Sequence, residues 1–281
     1  HTPPPPILSG LVGSEMCIRD SNTTGSLNTA IGRGALQANT TANDNVAVGA
    51  WALLANTTGT YNVGIGVSAL RNATTADGNT ALGFHAGRST TTGYNNVAIG
   101  YAALVSNSTG NNNVAIGNNA LDNASTASYN TAIGYNALTD NTTGANNHAI
   151  GNGSQENTTT GNYNVSLGGG TLNANTTTSN NVAIGHEALQ VATASNNTAL
   201  GFNALLANTT GATNTAVGNA ALDANTTGSS NVAVGSEALS TITTEDYNTA
   251  VGVSALQTVN AARNTAVGYQ ASLSATTGVG N

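Results

Sequence analysis

Lysine is absent from this chain, and cysteine, proline and charged residues are scarce. The 281 residues contain five arginines, twelve acids, one cysteine and four prolines, and only 6% of them are charged. The formal net charge of −7 argues against the basic surface that nucleic-acid binding requires, so we expect no nucleic-acid partner. The single cysteine, Cys17, gives no basis for a disulfide or for inferring a redox compartment.

Long apolar runs are also missing, and aromatic residues make up only 4% of the chain. No stretch approaches the eighteen or more apolar residues that a membrane-spanning helix needs, so we expect no membrane contact within this chain. Asparagine, threonine, alanine and glycine dominate instead, a composition that in random order would indicate disorder. What argues for a fold is the strict order of these residues.

The first 21 residues do not share that order. They hold all four prolines, Pro3 to Pro6, together with Cys17 and the only methionine, Met16. The stretch from Leu11 to Ser21 resembles the translated sequencing-library adaptor that contaminates environmental transcript assemblies. We therefore expect residues 1–21 to be a non-native leader or adaptor-derived scar, with a genuine Pro-rich leader as the alternative.

From residue 22 onward the chain repeats a five-residue phrase, Asn-(Thr/Val)-Ala-(Ile/Val/Leu)-Gly, every 17 residues, with two intervals of 16. The phrase begins at Asn28, Asn45, Asn62, Asn79, Asn96, Asn113, Asn130, Asn147, Asn164, Asn181, Asn197, Asn214, Asn231, Asn248 and Asn264. It ends at Gly32, Gly49, Gly66, Gly83, Gly100, Gly117, Gly134, Gly151, Gly168, Gly185, Gly201, Gly218, Gly235, Gly252 and Gly268. Asn281 would open another phrase, so we expect residues 22–281 to form one continuous array that is truncated at its C-terminus.

A 17-residue period is too short for a pair of helices and contains no heptad, so it predicts an all-β fold: a parallel β-solenoid, or β-roll, of about 15 coils. The phrase is a short strand with Val/Thr and Ile on one face and Ala and Gly on the other. A second pair, usually Ala-Leu, should fill the interior, with the aliphatic residue before each Gly facing the leucine. The polar remainder, often Asn-Thr-Thr-Gly, should close the coil as a turn.

Each recurring residue of the phrase has an expected role. Stacked about 4.8 Å apart, each asparagine can donate to the next asparagine and accept from the previous one, forming a buried ladder. The alternative is a row of ligand-binding amides on the outside. A glycine required in every coil indicates either a corner with positive φ or a contact too close for a Cβ.

So small a core predicts lateral association, as a trimer with the small Ala/Gly face or its neighbour at the contact. The phrase resembles the repeats in the head domains of trimeric autotransporter adhesins, and similar repeats occur in bacteriophage tail fibres and bacterial surface fibres. Those adhesin repeats usually have 14 residues, so this chain departs from them. The resemblance implies a homotrimeric structural or adhesive fibre at a cell surface or on a virion, with a host-surface glycan or matrix protein as partner.

Chemistry-bearing residues do not converge in the repeat. His85, His148 and His186 occupy different positions of the coil, and acids that share a position lie at least two coils apart. We therefore expect no enzyme activity, no catalytic residues, no metal and no cofactor. Two alternatives to a fibre stay open: an ice-binding solenoid that uses the stacked threonines, and, with less support, a polysaccharide-acting β-helix.

Two further sets of residues have competing interpretations. Aromatic residues recur directly before the phrase Asn or directly after the phrase Gly, and would either cover corners of the core or stack on sugars. They are Tyr61, Tyr129, Tyr163, Tyr247, Phe84, Tyr101, Tyr135, Phe202 and Tyr269. Trp51 belongs to neither position and stands alone. Asn-x-Ser/Thr triplets in the polar segment are either turns or a glycosylated ridge, and include Asn39, Asn56, Asn107, Asn141, Asn175, Asn208 and Asn225.

Overall fold

The computed structural model describes residues 21–275, so the predicted leader and the expected truncation at Asn281 lie outside the described residues, apart from Ser21. Fifteen strands form one parallel sheet in chain order, except that β16 follows β14 directly, and β15 pairs with β17 in a second sheet. The strands are β1 Thr29–Ile31, β2 Val46–Val48, β3 Val63–Ile65, β4 Thr80–Leu82, β5 Val97–Ile99, β6 Val114–Ile116, β7 Thr131–Ile133, β8 His148–Ile150, β9 Val165–Leu167, β10 Val182–Ile184, β11 Thr198–Leu200, β12 Thr215–Val217, β13 Val232–Val234, β14 Thr249–Val251, β15 Thr258–Val259, β16 Thr265–Val267 and β17 Ser274–Ala275.

The described part of the chain is therefore a parallel β-solenoid, as the 17-residue period predicts. Each strand of the 15-stranded sheet consists of the three residues between the phrase Asn and the phrase Gly, where β-branched residues favour extended backbone. Val97 N donates to Asn113 O at 2.8 Å on one side, and Gly100 N donates to Leu82 O at 2.9 Å on the other. Three-residue strands persist because coils on both sides saturate their backbone groups. Residues 21–275 contain no helix that could cross a bilayer.

Alanine and leucine form the core. In the coil that begins at Asn96, the strand alanine Ala98 and the pair Ala103 and Leu104 are all buried, with at most 2% exposure. The sequence predicts that the aliphatic residue before the phrase Gly faces this leucine, but this prediction is wrong. The residue points outward: Ile65 is 37% exposed and Leu82 47%.

The division of the strand into an aliphatic face and a small face is thus correct, but the small face lies inside the coil and the aliphatic face lies outside. Alternation in a strand places the residues before and after Ala98 on the same side. Because Leu104 already fills the interior from the opposite wall, only an alanine fits on the sheet side. The small face is therefore inside the coil and cannot form the contact between chains that was suggested for it.

A buried polar network interrupts the apolar core. One cluster of apolar core residues ends at Ala149 and the next begins at Leu172. Between them, Ser154 Oγ lies 2.5 Å from Ser166 Oγ and 2.9 Å from Thr171 Oγ1, and Gln155 Nε2 donates to Ser166 Oγ at 2.8 Å. All four side chains are at most 1% exposed, and Gln155 Oε1 has no partner among the described residues. These residues replace alanine or leucine of the other coils.

We expect the fourfold variant S154A/Q155L/S166A/T171A, which restores the usual residues, to raise the midpoint of thermal unfolding. Removing a buried network together with its unpaired oxygen should stabilise the fold by roughly 1–3 kcal/mol. Differential scanning calorimetry measures the change. The single variant Ser166→Ala is the control, because it strips Gln155 and Ser154 of a partner and should lower the midpoint. A Ser166→Ala protein as stable as the parent chain would contradict this account.

Candidate functional site

The phrase asparagines line the inside of the solenoid. From Asn45 to Asn264 they are at most 2% exposed, so they do not form an external row of amides. Asn96 Oδ1 accepts the backbone N–H of Asn113 at 2.9 Å and the side-chain amide of Asn113 at 3.1 Å. Asn113 Nδ2 also donates to Ala127 O at 2.8 Å and so ties the strand to the turn of its own coil.

The direction of this ladder is the reverse of the predicted one. Where two side-chain amides bond directly, each accepts from the next asparagine and donates to the previous one, as Asn79, Asn96 and Asn113 illustrate. The backbone sets this direction, since the N–H of each phrase asparagine finds its acceptor in the preceding side chain: Asn96 N donates to Asn79 Oδ1 at 2.9 Å. An oxygen that pointed the other way would leave a buried N–H unpaired.

A second column of asparagines lies inside the turns. The seven named triplet asparagines are at most 1% exposed, so at these positions they belong to turns and do not form an exposed ridge; the column comprises Asn39, Asn56, Asn107, Asn141, Asn175, Asn208 and Asn225. Asn56 Nδ2 donates to Gly59 O at 3.0 Å, and Asn45 Nδ2 donates to the same carbonyl at 2.9 Å. The constant offset of 11 residues from the phrase asparagine was the available sequence signal for this pairing.

The phrase glycines form a corner at the end of each strand. Their φ values lie between +119° and +143°. A Cβ added to Gly100 would lie 2.5 Å from Gly117 O in the next coil. The corner thus combines a backbone conformation that L-residues avoid with contact between successive backbones, so both physical reasons for a glycine apply together.

The outer face of the 15-stranded sheet consists of the first and third residues of every strand. These residues are partly or largely exposed throughout, while the alanine between them is buried in nearly every strand. The first residue is Val or Thr, or once His148, and the third is Ile, Leu or Val, so this outer sheet face has no carboxylate, lysine or arginine. At about 4.8 Å per strand it runs for about 70 Å, with one column aliphatic in every strand and the other column Thr in seven strands and His in one.

Aromatic side chains stand on the outside of the coils and do not cover the core, which corrects the interpretation of them as covers of its corners. Tyr61 is 67% exposed, Tyr269 74% and Phe84 43%. Phe84 and Tyr101, in consecutive coils, stack with ring centroids 5.4 Å apart and planes 10° apart. Phe84 also stacks on His85, with ring centroids 3.8 Å apart, so this part of the surface carries a short row of stacked rings.

Trp51 does not stand alone. The guanidinium carbons of Arg33 and Arg71, from the coils before and after it, each lie 5.7 Å from the centroid of its ring. Arg88 occupies the position of Arg71 one coil later, and partial burial, then Arg88 and Arg71, lower the pKa of His85 below its ordinary value. His85 is therefore mostly neutral at pH 7, and the charge of this region comes from arginine.

Charge is distributed unevenly along the solenoid. Between residues 28 and 112 the chain has Arg33, Arg71 and Arg88 but only two acids, Asp44 and Asp77. Between residues 113 and 275 it has Arg263 and eight acids: Asp122, Asp140, Glu156, Glu187, Asp223, Glu237, Glu245 and Asp246. One end of an acidic molecule is thus slightly basic.

The paired threonines of the turns form two unequal ranks. Thr57 Oγ1 donates to Thr74 O at 3.0 Å, and Thr226 Oγ1 donates to Thr243 O at 2.8 Å. In the first rank, the first threonine of each pair, the hydroxyl therefore donates to a backbone carbonyl of the next coil and not to solvent. The second rank, represented by Thr58, is exposed. An ice-binding surface would therefore have one fully outward rank of threonines at a turn.

The titratable groups lie apart from one another. Burial is the main cause that raises the pKa of both Asp122 and Asp223, but these residues lie in coils far apart along the solenoid. His186 packs against Phe202 at 5.9 Å between ring centroids, and its Nδ1 lies 3.8 Å from Glu187 Oε2. In the described part of the chain, no three His, Cys, Asp or Glu side chains come close enough to hold a metal ion.

No protein-family model, curated protein or solved structure matches this chain.

Proposed function

We propose that this chain is a non-enzymatic structural segment of an extracellular fibre, at a cell surface or on a virion, which associates as a homotrimer and presents an adhesive surface. The observation that carries the proposal is the outer sheet face, which has no carboxylate, lysine or arginine and whose third-residue column is aliphatic in all fifteen strands of the main sheet. A soluble chain that exposes so long an apolar face gains free energy by covering it.

A second copy of the same chain is the occupant that fits this face best. Two copies share one coil spacing, so their outward Ile, Leu and Val columns meet in the same way along the whole length. The face has no formal charge that must be desolvated on contact. The resemblance to trimeric adhesin heads favours three chains about a common axis.

The rest of the coil suits a spacer. The buried asparagines and leucines recur in nearly every coil, whereas the outward positions after the phrase Gly vary from Arg33 to Phe84 to Gly169. A rigid repeated interior with a variable exterior can hold different binding surfaces at fixed distances.

The test is the oligomeric mass of the chain and of the double variant Ile99→Asp/Ile116→Asp. By sedimentation equilibrium we expect the parent chain to have three times its 27.6 kDa mass. The variant should be a monomer with unchanged circular dichroism, because two carboxylates per chain would have to be desolvated in the contact.

The matched control is Thr109→Asp/Thr126→Asp, which adds the same charge to exposed turn positions in neighbouring coils and should stay trimeric. A parent chain that sediments as a monomer at tens of micromolar would overturn the assembly.

A further inference from the structure

We propose that Arg33, Trp51, Arg71, Arg88 and the stacked pair Phe84 and Tyr101 form a binding site for an acidic polysaccharide, a sugar chain with carboxylate or sulfate groups. We call these six residues the cationic aromatic patch. The inference rests on the proposed function, since it names the ligand class of the adhesive surface that the fibre presents.

Arginine and aromatic side chains alternate along the solenoid in the cationic aromatic patch. Trp51, 36% exposed, lies between Arg33 and Arg71, and Phe84 and Tyr101 follow in the next two coils. The exposed parts of these rings offer apolar surface to sugar rings, and guanidinium groups donate paired hydrogen bonds to carboxylate or sulfate oxygens. The patch offers both kinds of contact side by side.

Electrostatic repulsion within the patch favours an anionic ligand. Arg71 and Arg88 hold the same turn position in neighbouring coils, whose backbones are joined at this point by Asn72 N donating to Arg88 O at 3.0 Å. Like charges held one coil spacing apart, about 4.8 Å along the backbone, repel each other. Three of the four arginines of residues 21–275 belong to the patch. A bound anion would relieve this repulsion, which gives the ligand its expected charge.

The length of the patch and its small number of cations limit the class of partner. From Arg33 to Tyr101 the patch crosses four coil intervals, or about 20 Å. Three cations on a chain of net charge −7 are few for nucleic acid, because phosphate-backbone binding typically draws on about six to ten charge contacts. A sugar chain with spaced acidic groups needs fewer.

The patch is also separate from the proposed assembly contact. Its residues come after the phrase glycines, beyond the corner that ends each strand, whereas the outer sheet face lies before that corner. Covering the sheet face with another copy of the chain thus leaves the patch available.

The experiment measures binding of the full chain to immobilised polygalacturonate, dextran sulfate, neutral dextran and single-stranded oligodeoxythymidine by surface plasmon resonance. We expect binding to one or both acidic polysaccharides and no binding to neutral dextran. Comparison of polygalacturonate with dextran sulfate distinguishes recognition of carboxylate from recognition of sulfate. Arg71→Gln/Arg88→Gln should weaken binding about tenfold or more, as loss of charge-assisted hydrogen bonds does. Trp51→Asn should weaken it as well; glutamine and asparagine already occupy these positions at Gln37 and Asn119.

The matched control is Arg263→Asn, which removes an arginine that lies 5.8 Å from the ring centroid of Tyr247 at the acidic end. It should leave the affinity unchanged. The proposal is overturned by absence of binding to both acidic polysaccharides, by tighter binding to oligodeoxythymidine, or by equal losses in the control. Sedimentation of every variant separates the two proposals, since a trimer that does not bind contradicts only the patch and a monomer that binds contradicts only the assembly.

Discussion

Gly117→Ala is expected to break the solenoid at its middle coils. Gly117 has a φ of +134°, and a Cβ at this position would lie 2.3 Å from the carbonyl oxygen of Gly134. Relief of that contact requires the backbones of two coils to separate, because no flexible side chain can move instead. Together with the unfavourable φ, the loss should reach roughly 3 kcal/mol or more. Thermal unfolding followed by circular dichroism measures the effect.

The control is Gly170→Ala, which tests positive φ without the close approach. Gly170 has a φ of +65°, its nearest neighbour for an added Cβ is Glu187 Cγ at 3.5 Å, and alanine already stands at the same position as Ala102 and Ala220. This variant should lose only about 1 kcal/mol. Equal unfolding midpoints for the two variants would show that the close approach of successive backbones is not the reason why the corner requires glycine.

Asn113→Ala is the second substitution with a large expected effect. Asn113 Oδ1 accepts the buried N–H of Asn130 at 3.0 Å, and its amide nitrogen donates to Asn96 Oδ1 and to Ala127 O. Its loss leaves a buried N–H and a buried carbonyl without partners, at about 1–3 kcal/mol each. We expect a destabilisation of roughly 3–5 kcal/mol. In amide hydrogen exchange, the substitution should increase the exchange rate most at the backbone N–H of Asn130.

Asn96→Ala provides the comparison, because the chain supplies a substitute there. The carbonyl of Gly110 accepts from Asn96 Nδ2 at 2.9 Å but also from Asn107 Nδ2 at 3.0 Å, whereas the coil of Asn113 has Ala124 where Asn107 stands. Asn96→Ala should therefore cost measurably less than Asn113→Ala. If the two variants have the same stability, the convergence of the two asparagine columns contributes nothing.

Much of the fold could be predicted because a strict period constrains the chain. The spacing of Asn96 and Asn113 gives the coil length, and the Val-Ala-Ile triplet between Asn96 and Gly100 gives the strand. Alternation separates the two faces of that strand. Which face lies inside does not follow from alternation, and hydrophobicity pointed to the wrong answer, since it favoured burying Ile99 over Ala98.

The surface features were harder to predict because they join different positions of different coils. Trp51 and Arg71 are 20 residues apart, so a comparison at intervals of 17 does not bring them together. Within the patch, Arg71 and Arg88 share one position of the coil, and Arg33, Phe84 and Tyr101 share another, directly after the phrase Gly; these two shared positions were the signals of the patch in the sequence. The burial of Asn56 was hidden by its Asn-Thr-Thr context, which is also typical of exposed turns.

The sequence by itself determined the period, the strands, the buried amide of each phrase and the need for glycine at each corner, because these depend on residues within one coil or one period apart. The tertiary structure decided which side of the strand faces inward, which way the asparagine ladder runs and where arginine meets tryptophan. The physical reason is the width of the coil: once Leu104 fills the interior from one wall, there is room only for Ala98 on the other, and the larger Ile99 must lie outside.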